Sequence, residues 1–196
     1  MHGLILWTFE FFVRLTYGNQ VWTGVLSKLD LSLNAVEPLF HYDDQVGLSI
    51  LQQLAVDLNR DRQSLLEDFG TFLVTDTRVE RVRRLLRFGG VDYTDFLHSL
   101  EDLKGRSLLA VPDLHLPNIQ VDERQPHRFE ITCENIPKGA PYVLLGVLRA
   151  LADDFGSLVF LEVTAETADN VVITADLLEC QHAEGREFLW ATGGVS

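Results

Sequence analysis

Apolar residues recur at helical spacing through the first half of the chain. Between residues 3 and about 104 they return every three or four positions, the period of helices that bury one face. The segments with this period are 3–16 (Leu4, Trp7, Phe11, Leu15), 19–29 (Val21, Trp22, Val25, Leu29), 44–58 (Leu48, Leu51, Leu54, Leu58), 62–73 (Leu65, Leu66, Phe69, Phe72) and 77–87 (Val79, Val82, Leu85, Leu86). Gly18, Pro38, Gly70 and Gly89-Gly90 are expected to interrupt them.

After residue 104 the period becomes that of β-strands. The strand-like segments are 114–121, 127–134, 157–166 and 170–180, and the last two are typical of a hairpin around Asp169-Asn170. In the second segment Phe129, Ile131 and Cys133 share one face. A strongly apolar helix is predicted over 141–155, and Pro141 suits its first turn.

These patterns predict the α+β class, and the length allows one domain or two small ones. We expect a helical subdomain (1–104) that packs on a second subdomain (105–196) of about four antiparallel strands and one long helix.

One further helix is predicted over 93–104, where the apolar stripe runs directly into a lysine. The apolar positions of this stripe are Tyr93, Phe96, Leu97 and Leu100. We expect Lys104 in the last helical turn, with Gly105 as the residue that ends the helix. His98 lies with acidic residues on the opposite face, which predicts a solvated histidine.

The negative net charge argues against two classes of binding partner. With 16 Lys+Arg against 29 Asp+Glu among 196 residues, the net charge of −13 disfavours binding to nucleic acid and to anionic membrane surfaces.

The apolar N-terminal stretch has no basic region before it and contains Glu10 and Arg14, unlike a signal peptide. A cytoplasmic location is therefore expected.

Neither a metal site nor a catalytic site is indicated. Cys133 and Cys180 are expected to be reduced, and with His182 they are too dispersed for a structural zinc site. The acidic pairs are adjacent in sequence, so their side chains diverge, and they are expected at helix ends or on the surface: Asp43-Asp44, Glu67-Asp68 and Asp153-Asp154. The chain is therefore not expected to be an enzyme.

Five short motifs in order resemble the H-NOX family of haem nitric-oxide/oxygen sensing domains. They are MHGLI (1–5), YGNQVW (17–22), HYDD (41–44), EDFGTF (67–72) and DFLHSLEDL (95–103). The resemblance covers almost the whole chain and implies a single domain over residues 1–196, with a helical half joined to a helix–sheet half and haem between them.

The resemblance also assigns the haem anchors to positions in this chain. In the family, the proximal histidine is the last residue of the pattern leucine, acidic residue, any residue, leucine, histidine. This chain matches the first four positions at residues 100–103 and has Lys104 in place of the histidine. A lysine must lose a proton, with a reference pKa of about 10.4, before it can ligate iron. The family's Tyr-x-Ser-x-Arg propionate motif corresponds to Cys133, Asn135 and Pro137, or one residue later to Glu134, Ile136 and Lys138. Both anchors are absent.

Other positions implied by the resemblance are a spare ligand and a distal wall. His115 lies two residues before Pro117, which matches a proline that packs against haem in the family. The distal wall would be formed by Ile5, Phe9, Val143 and Val147. The family's distal tyrosine lies near the position of Val143, and Tyr142 is one residue away. In the register that places Val143 there the hydroxyl donor is absent, which favours nitric oxide over oxygen as a ligand.

Two functions follow from these positions. One is a sensory module that keeps the fold but is haem-free or atypically ligated and acts through a protein partner. The alternative is a haem-binding nitric-oxide sensor with a non-histidine or displaced axial ligand. Because 196 residues match one sensor domain, we expect the signal to leave through a partner in trans, a histidine kinase or cyclic-dinucleotide enzyme by analogy with the family.

Overall fold

The first half of the chain is helical, as predicted. The computed structural model describes residues 1–31, 36–86, 90–111, 113–114, 116–135, 137, 139–167 and 170–178. Its first helices are α1 (Gly3–Thr16), α2 (Asn19–Lys28), α3 (Asp44–Leu58), α4 (Arg62–Thr75) and, after a 3₁₀ turn at Thr77–Val79, α5 (Glu80–Leu86). The Asp43 side chain accepts a hydrogen bond from Gln45 N (2.9 Å) and caps α3, which confirms that this acidic pair begins a helix.

The buried face of α1 differs from the prediction. The structure buries Leu6, Phe9, Phe12 and Val13, whereas Trp7 and Leu15 of the predicted stripe are exposed. Because α1 is apolar on nearly every side, periodicity alone does not determine which side meets the core. Gly70 likewise does not interrupt a helix, since it lies inside α4.

The second half contains the predicted sheet and long helix. Its elements are α6 (Tyr93–Ser99), a 3₁₀ turn (Leu100–Asp102), α7 (Leu103–Ala110), β1 (Asn118–Gln125), β2 (Arg128–Glu134), α8 (Ala140–Asp154), β3 (Leu158–Glu166) and β4 (Asn170–Leu178). The strands form one antiparallel sheet in the order β1-β2-β4-β3. Phe129, Ile131 and Cys133 point to its buried face, as predicted.

The first strand begins and ends later than the segment 114–121 predicts. Pro117, which lacks an N–H group, precedes the strand, and pairing with β2 continues beyond Val121 to Gln125. The residues after Val121 in this strand are exposed and polar, so they carry no hydrophobic alternation. Strand pairing here is a backbone property that the apolar pattern does not report.

The predicted helix 93–104 is also wrong in its second part. A 3₁₀ turn at Leu100–Asp102 separates α6 from α7, and α7 continues through Gly105 to Ala110. Lys104 therefore lies in the first turn of α7, and Gly105 does not end the helix. Glycine is tolerated there because a Cβ atom at Gly105 would meet nothing within 4 Å, so no special backbone conformation is required.

The buried side chains form two cores with α4 between them. One core comprises residues of α1 to α4 with Val36 and Val79, and the other comprises Val74 with α6, Leu103 and the sheet with α8. Tyr93 and the other buried residues of α6 thus pack with the sheet. The predicted subdomain boundary at residue 104 stays a prediction.

Candidate cofactor site

The proximal-ligand position is on the surface. Leu100 and Leu103 are buried, but the side chain of Lys104 is exposed to solvent. A 3₁₀ turn advances by about 120° per residue instead of about 100°, so three residues rotate the following helix by roughly 60°. The turn at Leu100–Asp102 therefore removes Lys104 from the apolar stripe of α6.

The turn is held in place by a hydrogen bond to the sheet. The backbone N–H of Val121 in β1 donates to Glu101 Oε1 at 3.0 Å. Glu101 thus satisfies an amide on the edge strand and fixes the position from which α7 starts. Sequence reasoning missed this role.

The propionate position carries no cation among the described residues. Cys133 is fully buried, and burial raises the pKa of its thiol to about 12, so it stays protonated. Glu134 accepts a hydrogen bond from Asn118 Nδ2 at 3.3 Å, and Asn135 turns the chain with a positive φ of 54°. Ile136 and Lys138 lie outside the described residues.

The spare ligand His115 also lies outside the described residues, as do Cys180 and His182. Pro117 is half-buried directly before β1, and its neighbour Leu116 packs against the core of the sheet. The role of His115 stays a prediction.

The predicted distal positions divide between the two cores. The ring of Phe9 meets Phe69 edge-on at 5.2 Å in the helical core, and Val143 packs against that core. Val147 is buried in the core of the sheet, and Ile5 is half-buried on α1. Their role as a distal wall also stays a prediction.

Helices α4 and α8 touch backbone to backbone, a feature that sequence reasoning missed. A Cβ atom on Gly70 would lie 2.0 Å from Val143 O, and one on Gly146 would lie 2.0 Å from Glu67 O. Thr71 Oγ1 donates to Gly146 O at 3.5 Å in the same crossing. The sequence signal was a glycine inside each of two helical apolar patterns, which often marks such close approach.

A buried hydrogen bond joins α6 to α8. The Tyr93 hydroxyl donates to Leu148 O at 3.0 Å, and desolvation raises the pKa of this phenol. Phe96, Leu97 and Leu100 of the same stripe are fully buried. The stripe that would face a cofactor is therefore packed against protein.

The remaining histidines of the described part form no metal site. His98 is exposed, as predicted, and its ring meets Phe129 edge-on at 5.7 Å. His2 Nδ1 accepts from Leu4 N at 3.1 Å and caps α1, while its ring lies 5.1 Å from that of His41. Within the described residues, no three His, Cys, Asp or Glu side chains are grouped to hold a metal ion.

A cleft on the outer side of α1 is too small for a large cofactor. It encloses about 170 Å³ and is lined by Trp7, Glu10, Phe11, Arg14 and Val36. Pockets for small molecules usually enclose about 300–1,000 Å³. With Lys104 in solvent and no cation among Cys133, Glu134, Asn135 and Pro137, the described residues do not fit haem in the manner that the resemblance implies.

Comparison with known proteins identifies the family. The sequence model described as Haem-NO-binding (HNOB) matches residues 2–163, which is most of the chain. The chain belongs to the haem-NO-binding family. Members of the HNOB family are sensor domains that bind haem, which confirms the resemblance drawn from the five motifs.

Solved H-NOX structures share the fold of this HNOB chain at low identity. The Fe(II) unliganded H-NOX protein from K. algicida has a TM-score of 0.76 and 19% identity, covering 93% of this chain and 99% of that one. The S. oneidensis H-NOX protein in the Fe(II)NO state has a TM-score of 0.75 and 19% identity, covering 91% and 100%. The predicted α+β architecture is confirmed.

A longer relative is similar to this HNOB chain over part of its length. Soluble guanylate cyclase 89Da from Drosophila melanogaster is 19% identical over 171 residues, which cover 87% of this chain. The match covers 26% of that relative, so the chain spans about a quarter of its length. Among the described residues, no helix is both long and apolar enough to cross a bilayer.

Proposed function

We propose that this chain is a sensory module of the haem-NO-binding family that works without bound haem and signals through a protein partner in trans. The observation that carries the proposal is the position of Lys104, which replaces the expected histidine and lies in solvent at the start of α7. The hydrogen bond from the Tyr93 hydroxyl of α6 to Leu148 O of α8 supports it, since it joins these two helices without a cofactor.

By analogy with the family, the partner is a histidine kinase or a cyclic-dinucleotide enzyme. Three acids of the predicted acidic pairs are held in ion pairs. Arg149 Nη1 pairs with Glu67, Arg60 Nη1 with Asp68, and Arg83 Nη2 with Asp154 at 2.6 Å. The activity we propose is recognition of a partner.

The second candidate is a nitric-oxide sensor with a displaced axial ligand. Membership of the haem-NO-binding family favours it, and a solved relative is described in an Fe(II)NO state. Lys104 would have to turn inward and lose its proton, or His115 would have to serve instead.

An absorption spectrum separates the two candidates. The full chain is expressed with ample haem supply, purified, and measured before and after hemin is added. We expect no Soret band from a protein-bound haem and no gain in Lys104→His, because a histidine at that exposed position would also face solvent. A Soret band that saturates at one haem per chain would contradict the proposal, and its loss in Lys104→Ala or His115→Ala would identify the ligand.

A further inference from the structure

The two edges of the sheet are treated differently. At the β1 edge, the Val121 amide is already satisfied by Glu101 at 3.0 Å. At the other edge, β3 runs for nine residues, and no strand within the described residues pairs with its outer side. An open edge presents unpaired N–H and C=O groups that can bind another extended chain.

Beside this open edge lies an apolar patch on the sheet face that points away from the core. Leu158 is 57% exposed, Phe160 56% and Leu178 52%. Leu158 pairs directly with Leu178, so the three side chains are neighbours. We call these three residues the β3 patch.

The patch is bordered by acidic side chains on the same face. Asp176 pairs with Phe160, and Glu162 follows Phe160 by two positions along β3. Asp176 on β4 already has a cationic partner on the neighbouring strand β2, since Arg128 Nε lies 3.4 Å from Asp176 Oδ1. Glu162 is therefore the acid of this border that lies on the edge strand itself. A second copy of this chain would bring a net charge of −13 to the same place, which disfavours self-association.

We propose that the open edge of β3 is a docking site for an extended segment of a partner protein, which adds to the sheet as a fifth strand. The segment would place apolar side chains on the β3 patch and a basic side chain beside Glu162. Backbone hydrogen bonds would provide the affinity, and the order of basic and apolar residues would provide the choice of partner. This inference rests on the proposed function, because it specifies the surface through which a partner in trans is bound.

The test uses the full chain and a labelled probe peptide measured by fluorescence anisotropy. The probe is an eight-residue threonine peptide with lysine, valine and isoleucine at its second, fourth and sixth positions, and the comparison peptide has glutamate in place of lysine. We expect the lysine peptide to bind about fivefold to tenfold more tightly than the glutamate peptide. Glu162→Lys should reverse this preference, and Phe160→Thr should weaken both peptides.

Asp122→Lys is the matched control for Glu162→Lys. Asp122 on β1 lies on the same face of the sheet as Glu162 but at the opposite edge. Its replacement by lysine changes the net charge by the same amount as Glu162→Lys. It should leave the peptide preference unchanged, because the distance across four strands exceeds a Debye length of about 8 Å. An equal shift in both variants would overturn the proposal in favour of non-specific electrostatic binding.

Amide hydrogen exchange in the free chain tests the other occupants. We expect outward-facing amides of β3 to exchange rapidly in the free protein and to become protected when the lysine peptide is added. Protection that is already present at low protein concentration would show that this chain covers its own edge. Protection that rises with protein concentration would show a second copy. Either result would overturn the proposal. Peptide binding in a protein that also shows a Soret band would instead contradict the proposed function alone.

Discussion

A methyl group at the crossing of α4 and α8 should force the two helices apart. In Gly146→Ala the new Cβ atom would lie 2.0 Å from Glu67 O and 2.9 Å from Thr71 N. Both neighbours are backbone atoms within a helix and cannot rotate away. The helices must therefore separate by roughly an ångström, which loosens the contact between the two cores.

The expected loss in the free energy of unfolding of Gly146→Ala is the balance of two opposing effects. Overpacking of this kind costs about 1–3 kcal/mol, and the upper end applies because the clash is with backbone. Alanine gains about 1 kcal/mol over glycine in a helix. We expect a net loss of about 2 kcal/mol in the free energy of unfolding. Gly24→Ala in α2 is the matched control, since a Cβ atom there meets nothing within 4 Å, and it should be stabilising.

Urea unfolding followed by far-ultraviolet circular dichroism measures these effects. With a urea dependence of about 2 kcal/mol per molar, Gly146→Ala should lower the midpoint by about 1 M. Gly70→Ala should act in the same direction, and the double variant should cost less than the sum, because one separation relieves both clashes. If Gly146→Ala is as stable as Gly24→Ala, helices α4 and α8 do not touch backbone to backbone at Gly146.

Three further predictions follow from the described residues. Burial raises the pKa of Cys133 from 9.0 to about 12, so on raising the pH the unfolded chain loses this proton before the folded protein does. The free energy of unfolding should therefore fall as the pH rises from 9.0 to about 12. Urea titrations should show a smaller fall in Cys133→Ala. Lys104→Ala should change stability by less than about 0.5 kcal/mol, because the side chain is exposed, whereas a larger loss by urea titration would indicate a buried contact. Asp92→Ala should cost about 1 kcal/mol, because Asp92 Oδ1 accepts from Asp95 N at 2.9 Å and caps α6; no shift in thermal midpoint would contradict this cap.

Periodicity predicted the helices and strands well where one face of an element is buried. The bounds of α1 and α3 agree with the segments 3–16 and 44–58, and the alternation of Phe129, Ile131 and Cys133 identified the inner face of β2. Periodicity did not predict features that hydrophobic burial does not determine. The second half of β1, after Val121, is held by backbone hydrogen bonds to β2. The buried face of α1 is determined by the helices that pack against it.

The candidate site was predictable in its residue types and not in its placement. The sequence showed that Lys104 replaces the family's histidine, but its exposure depends on the rotation introduced by the turn at Leu100–Asp102. The approach of Gly70 to Val143 requires the positions of two helices that are distant in sequence. Such contacts depend on tertiary packing, which local patterns do not encode.

The most direct test of a haem-independent fold is amide hydrogen exchange of α4 and α8 in chain prepared without haem. We expect these amides to be protected to the level of global unfolding and to be unchanged when hemin is added, because Gly70 and Gly146 already hold α4 against α8 and Tyr93 joins α6 to α8. Rapid exchange in α8 that slows when hemin is added would contradict it, since the interior would then require the cofactor to become ordered.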